Sequence, residues 1–578
     1  MGDASHPESS ILTNDLAGGN DFKLGGFSID EYRPIRVVVI GAGFSGIIAG
    51  IRHKIPNINL TIYDKNAGIG GTWFTNKYPG LACDIPSHCY QLTFEVNTNW
   101  SSFYAPGPEI QAYLQSVVDK YKLMRYIKLQ HRIVHARYDE PTGKWHLRIR
   151  RSTPSQQPNT EQVDFEEFED FADILVTGIG SLSRWKWPDI EGLRHFEGSL
   201  FHTADFDVGE QTWQEATRNW EDKRVGVIGV GSSAIQIVPA LQPRVAKIIT
   251  YVKGKTWIST PFSSSKLAEL MKRDPDAENC ACLSTLIITE VTDTKPSIDT
   301  FTEENKKAFK DPAFYKQFRH ELESDLNSVH HAIMKGTEQQ LAARTAFTSH
   351  MKKKLSKKPW IADYLIPDFG VACRRLTAGP GYLEALCEDN VDFIPAHIKR
   401  ITRNGIATVD GKHEDLDVII CATGYDYTYQ LDFPMIGRNG ITIQEKWSPH
   451  PATYLAVCTD GFPNWFMALG PNSGVGSGSL LVVIERQIDY AVQATKKLQR
   501  ERLKSIEIKR RAVQDFDEYL EHYFPNTVYS ERCRSWYKMG KEDGRNVALW
   551  PGQRLIYADT PLFQHGWLQD PVFMQSAP

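Results

Sequence analysis

The chain has 578 residues, 41% hydrophobic and 24% charged, too long for one hydrophobic core and sufficient for two or three domains. Its net charge of −4, with both signs interspersed, gives no basic field for nucleic acid. The polar start, the lack of an apolar run long enough for a bilayer, and nine scattered cysteines without metal-ligand spacing point to a reduced cytoplasmic protein with no transmembrane segment and no metal.

Residues 1–34 read as a mobile arm. The β-branched run at 36–40 predicts a buried parallel strand, followed by a glycine turn and an apolar-periodic helix through Ile47, Ile48 and Ile51. A second strand at 60–63 ends at Asp64, completing a βαβ unit. Trp145, Leu147 and Ile149 alternate with polar residues, the pattern of a half-exposed strand. The unit repeats with a strand at 224–228, a turn from Gly229, a helix through Ile235 and Ile237, and a strand at 247–252 ending at Lys253. Residues 263–360 read as a helical insertion, and from about Phe369 the chain turns strand-rich again. The expected fold is α/β, with two Rossmann-like dinucleotide-binding domains and a helical insertion in the second. The expected limits are 35–195 and 369–578 for the first domain and 196–368 for the second.

Gly41, Gly43 and Gly46 form a GxGxxG turn between strand and helix. The first permits the tight turn, the second the approach of a pyrophosphate, and the third close helix–strand packing. The diphosphate would sit on the helix N-terminus, where free N–H groups favour anions. Asp64 accepts from ribose hydroxyls and repels a 2′-phosphate, which selects FAD or NAD over NADP. In the second turn Gly229 and Gly231 are followed by Ser232, with Ala234 in the third slot. Lys253, Gly254 and Lys255 stand where an acid would exclude a 2′-phosphate, which favours NADPH; a solvated lysine surface is the other reading.

Two longer stretches carry a resemblance. Gly70-Gly71-Thr72-Trp73 through Tyr78-Pro79-Gly80 to Asp84 resembles the GGxWxxxxYPGxxxD motif of flavin-dependent Baeyer–Villiger monooxygenases. Phe196-Glu197-Gly198 through His202 to Asp207 resembles their fingerprint between the two nucleotide units, with Phe206 in the usual Trp place. The resemblance runs from about Ile35 to Gly566 and implies FAD and NADPH as cofactors, and O₂ with a small-molecule carbonyl compound as substrates. It implies FAD contacts at Gly71, Thr72, Trp73, Asp84, Tyr90 and Thr423. Cys373-Arg374-Arg375 is similar to the family's Cys-Lys-Arg segment, which makes Arg375 the flavin-facing cation and Arg374 a 2′-phosphate contact. Asp84 is the natural counter-ion of Arg375, with a turn cap as its blander reading. Trp536 would flank NADP⁺ and substrate. The family's His is not a proton-transfer base, and His202 reads as a packed, hydrogen-bonded structural residue.

The implied reaction inserts one atom of O₂ beside a ketone carbonyl through a C4a-peroxyflavin, giving an ester or lactone. The substrate would be a secondary-metabolite intermediate, as for fungal members acting on polyketides or terpenoids. An N- or S-hydroxylating flavin monooxygenase on the same scaffold is the alternative. A disulfide oxidoreductase needs a close cysteine pair by the flavin, and Cys83 and Cys89 have the wrong spacing. A non-enzymatic nucleotide binder would have no use for Arg375 with Asp84.

Overall fold

A computed structural model describes residue 28 and residues 31–154, 163–259, 262, 300–552 and 573–576. Most of the expected arm, residues 263–299 of the insertion, and Cys280 and Cys282 lie outside the described residues.

The first sheet is parallel, in the order Trp465–Met467, Ile174–Thr177, Ile35–Ile40, Ile58–Tyr63, Ile127–Lys128. Val37, Val38 and Val39 are wholly inaccessible because both faces of the central strand are covered, which is why its sequence is a continuous β-branched run. Helix Phe44–Arg52 packs on one face together with the long amphipathic helix Leu480–Arg500. An antiparallel sheet built on His131–Asp139, Lys144–Pro154 and Val163–Ala172 covers the other. Trp145, Leu147 and Ile149, the alternating residues, pack there with Val38 and Ile40.

The second sheet is also parallel, in the order Val391–Ile394, Lys247–Tyr251, Arg224–Ile228, Val418–Cys421, Ser199–His202. Two of its strands come from beyond residue 369, so the chain returns to the first sheet later than the sequence boundary, at Trp465–Met467. The apolar run at 418–421 is buried on both sides, and its pairing with Arg224–Ile228 and Ser199–His202 places it in the second sheet.

The insertion stands on both cores. Helix Pro312–Asn327 is started by Pro312 and by the Asp311 carboxylate, which accepts from the Phe314 N–H. It delivers Phe318 and Leu322, with Phe309, to the core of the first sheet. Helices Glu338–Lys354 and Ile361–Leu365 deliver Met351, Ile361 and Leu365 to the core of the second. In the first core His88 lies in an aromatic cage, with ring centroids 4.4 Å from Phe309, 4.9 Å from Phe301 and 5.4 Å from Phe318. Burial drives its pKa down to about 3, so the ring is neutral.

One expectation is corrected. Cys373 and Cys533 form a disulfide, with Cα atoms 6.6 Å apart, so the cysteines are not all reduced thiols. The pair is 160 residues apart in sequence and only the tertiary fold brings it together. It joins the segment carrying Arg374 and Arg375 to the one carrying Trp536. Among the described residues no helix is long and apolar enough to cross a membrane, and no group of His, Cys, Asp and Glu is placed to hold a metal.

Candidate active site

A cavity of about 510 Å³ opens at the end of the first sheet. Gly41, Gly43, Asp64, Gly71, Thr72, Trp73 and Tyr90 all line it. The turn explains two of its glycines. Gly41 has φ +105°, a region that favours glycine, and a Cβ on Gly46 would lie 1.8 Å from the Gly41 carbonyl oxygen. The third glycine is therefore a packing residue outside the cavity wall. Asp64 is almost fully buried and held by two backbone donors: Oδ2 accepts from the Ala42 N–H at 2.6 Å and Oδ1 from the Asn66 N–H at 2.8 Å. Burial raises its pKa, against these N–H groups, which favour the carboxylate. Trp73 Nε1 donates to the Tyr90 hydroxyl at 3.2 Å, and the two rings meet edge-on.

Asp84 and Arg375, 291 residues apart, form an ion pair. Asp84 Oδ2 accepts from Nε at 3.2 Å and from Nη2 at 2.9 Å, while Nη1 donates to the Val475 carbonyl at 3.3 Å. Burial is the largest single influence and works against the charge on Arg375, but the Asp84 carboxylate and the Tyr537 and Tyr529 oxygens together outweigh it. The guanidinium therefore stays protonated throughout the working pH range. Trp536 is stacked on Tyr427, with centroids 4.9 Å apart and planes inclined by 23°.

The second turn is open. A Cβ built on Gly231 meets nothing within 4 Å, so backbone N–H groups there are approachable by a ligand. Ser232 Oγ lies 2.9 Å from Thr377 Oγ1. Lys253 is exposed. Arg374 reaches the segment after strand Lys247–Tyr251: Nη1 donates to the Lys255 carbonyl at 2.8 Å, and Nε is buried without a partner. Its pKa is lowered by burial and by the charge of Arg534. Thr423, at the end of strand Val418–Cys421, pairs with His202, whose Nε2 is 3.1 Å from Thr423 Oγ1.

Comparison with known proteins agrees with this geometry. A family model for a NAD(P)-binding Rossmann-like domain matches residues 39–106. The FAD-binding monooxygenase tazF of Aspergillus terreus is 37% identical over 570 residues, covering 96% of this chain and 93% of the relative. A Baeyer–Villiger monooxygenase of Pseudomonas aeruginosa is 32% identical over 529 residues, covering 90% and 88%. The chain belongs to the flavin-dependent Baeyer–Villiger monooxygenases. The crystal structure of cyclohexanone monooxygenase from Rhodococcus sp. Phi1 bound to NADP⁺ superposes with a TM-score of 0.74 at 25% identity, over 94% of this chain and 100% of that one. The cofactors of this monooxygenase are FAD and NADPH.

The fold thus gathers the predicted residues of this monooxygenase into two groups. The first turn, Asp64 and the Gly71–Trp73 segment share one cavity with Tyr90. Gly231 lies in the second turn, Arg374 meets the segment just after Lys253 at the Lys255 carbonyl, and Asp84 pairs with Arg375. Phe206, in the fingerprint's Trp place, is 2% exposed and stacks on Phe201 at 4.5 Å, so an aromatic core position is kept. Sequence reasoning missed Gln236. Its Oε1 accepts from the Tyr78 hydroxyl at 2.9 Å and its Nε2 donates to the Ala82 carbonyl at 3.0 Å, fastening the loop before Asp84 to helix Ser232–Leu241. Its position one turn into that helix was the available signal. Tyr529, beside Arg375, was also missed, and a buried tyrosine in a C-terminal segment carries no local signal at all.

Proposed function

We propose that this enzyme inserts one atom of O₂ beside the carbonyl of a ketone, with Arg375 and Asp84 as the charged pair of the active site. The observation that carries the reading is their ion pair: a permanently charged fork of donors held by a carboxylate from the loop next to the FAD cavity. Gly41, Gly43, Asp64, Gly71, Thr72, Trp73 and Tyr90 would hold FAD, whose isoalloxazine, reduced by NADPH, supplies the activated oxygen. The cavity size and the buried, N–H-braced Asp64 fit that cofactor. Gly229, Gly231, Ser232, Lys253 and Arg374 would hold NADPH. Arg375 stabilises the oxyanion that forms on the substrate carbonyl, and Asp84 keeps its donors aimed. Trp536, packed flat on Tyr427, walls the substrate side and excludes water. Thr423 accepts the His202 hydrogen bond and so ties the returning strand to the cofactor side.

The sheet topology supports a coenzyme domain running from about residue 196 to 421, inserted into the FAD domain. A cytoplasmic secondary-metabolite enzyme fits the fungal relatives from Aspergillus terreus and Emericella nidulans, each an FAD-binding monooxygenase by name. The test is turnover of a panel of cyclic and polycyclic ketones with NADPH and isotopically labelled O₂. Ester or lactone carrying one labelled atom is expected; labelled N-oxide or sulfoxide products alone, with no ketone turned over, would refute the assignment.

A preference for NADPH over NADH follows from Lys253 and Arg374. Each charge-assisted contact to a 2′-phosphate contributes about 1.5–3 kcal/mol, on the order of ten- to a hundredfold in kcat/KM. Arg374→Ala is expected to lower kcat/KM for NADPH by that factor and leave NADH unaffected. Equal specificity constants for the two nucleotides in the unmodified enzyme would show that these cations serve another purpose.

A further inference from the structure

The segment leaving the first sheet after Ile174–Thr177 carries two tryptophans, Trp185 and Trp187, and both converge on His202. The Trp185 ring lies flat on the imidazole, 4.4 Å between centroids and 12° between planes. Trp187 meets it edge-on at 5.8 Å and 79°. His202 has no accessible surface.

Both imidazole nitrogens are committed. Nδ1 accepts from the Ala204 backbone N–H at 3.2 Å, so it carries no proton. Nε2 must then be protonated, and it donates to Thr423 Oγ1 at 3.1 Å. Burial lowers the pKa to about 4, which keeps this neutral tautomer in place at physiological pH. The remaining freedom is rotation of the ring about its Cβ–Cγ bond, which would break both hydrogen bonds at once. The indole face of Trp185 blocks that rotation.

Three chain segments meet at this point. His202 ends strand Ser199–His202 and pairs with Cys421, after which Thr423 starts the return to the first sheet. Trp185 belongs to the outgoing crossing, and it also lines the 510 Å³ cavity beside Asp205, Phe206 and Asp207. The indole therefore touches the cavity and the hinge histidine together.

We propose that Trp185 is a positioning residue that fixes the His202 ring and so couples the FAD cavity to the orientation of the coenzyme domain. This rests on the cavity being the FAD site, as assigned above. Its contribution passes through His202, which separates it from a residue that merely lines the flavin pocket.

The test is a double-mutant cycle on the FAD-loaded enzyme, read by calorimetric Kd for NADP⁺ and by the share of NADPH oxidised without product. Trp185→Leu is expected to weaken NADP⁺ about fivefold or more and to raise unproductive oxidation, both scored per bound FAD. Trp185→Phe, which keeps an aromatic face, is expected to stay within about twofold of the parent. In a His202→Gln background, Trp185→Leu is expected to add less than about twofold, because the ring it steadies is gone. The same fold-loss in both backgrounds, or an unchanged Kd in Trp185→Leu, overturns the proposal. Trp185→Met run through the same cycle covers the case in which the leucine variant is insoluble. Failure of the unmodified protein to retain FAD would instead refute the cavity assignment.

Discussion

Arg375→Ala is expected to lower ester or lactone formation by two to three orders of magnitude while FAD content and fold persist. Arg375 does not line the cavity that holds the first glycine turn, so cofactor retention does not depend on it. In the proposed role, its cation meets charge that develops only during reaction, and a lost donor of this kind costs about 3–4 kcal/mol of transition-state stabilisation. The substitution also strips Asp84 of its partner, leaving a carboxylate beside the reacting centre where an oxyanion must form. That repulsion adds to the loss. Arg375→Lys should recover only part of the rate, because an ammonium cannot bond Asp84 through two nitrogens and the Val475 carbonyl through a third as the guanidinium does. The measurement is product formed per second from a ketone, with flavin absorbance recorded for each variant. Near-normal coupled turnover in Arg375→Ala would reduce this arginine to a structural cation.

Phe318→Ala is expected to destabilise the FAD-loaded protein by about 3–5 kcal/mol, the usual cost of deleting a buried phenylalanine ring. Phe318 is 1% exposed and packs against His88 and Phe309, with centroids 5.4 Å and 4.8 Å away. The cavity left behind would border the His88 ring, whose Nε2 is buried without a hydrogen-bond partner. Phe318→Leu keeps most of the volume and should cost under about 1.5 kcal/mol. Denaturant midpoints at constant m-value decide it. A loss below about 1 kcal/mol in the alanine variant would mean that the insertion merely rests on the first core.

The two Rossmann units were legible because their strands are buried on both faces, which forces β-branched runs such as Val37-Val38-Val39 and places glycines where helix and strand meet. Asp64 was legible from its position at a strand end. The Asp84–Arg375 pair was legible only through family motifs, since no periodicity links residues 291 apart. The membership of strand Val391–Ile394 was not legible, because it is four residues long and only its pairing with Lys247–Tyr251 assigns it to the second sheet. The Cys373–Cys533 bond and the Trp185–His202 stack share this property. Each depends on the relative placement of distant segments, and neither thiol nor indole announces its partner in a linear pattern.

The insertion's two footholds have a kinematic consequence. A body pinned at one point can turn about it in every direction, whereas a body pinned at two points keeps a single rotation, about the line that joins them. The coenzyme domain is held to the FAD domain where the segments meet at His202, where Phe309 and Phe318 grip His88, and where Gln236 fastens the loop before Asp84. A third hold lying off that line removes even this rotation, so a swing of one domain on the other has to release a contact first. The Cys373–Cys533 bond adds a covalent tie, so the segment carrying Arg374 and Arg375 travels with the one carrying Trp536 in any such movement.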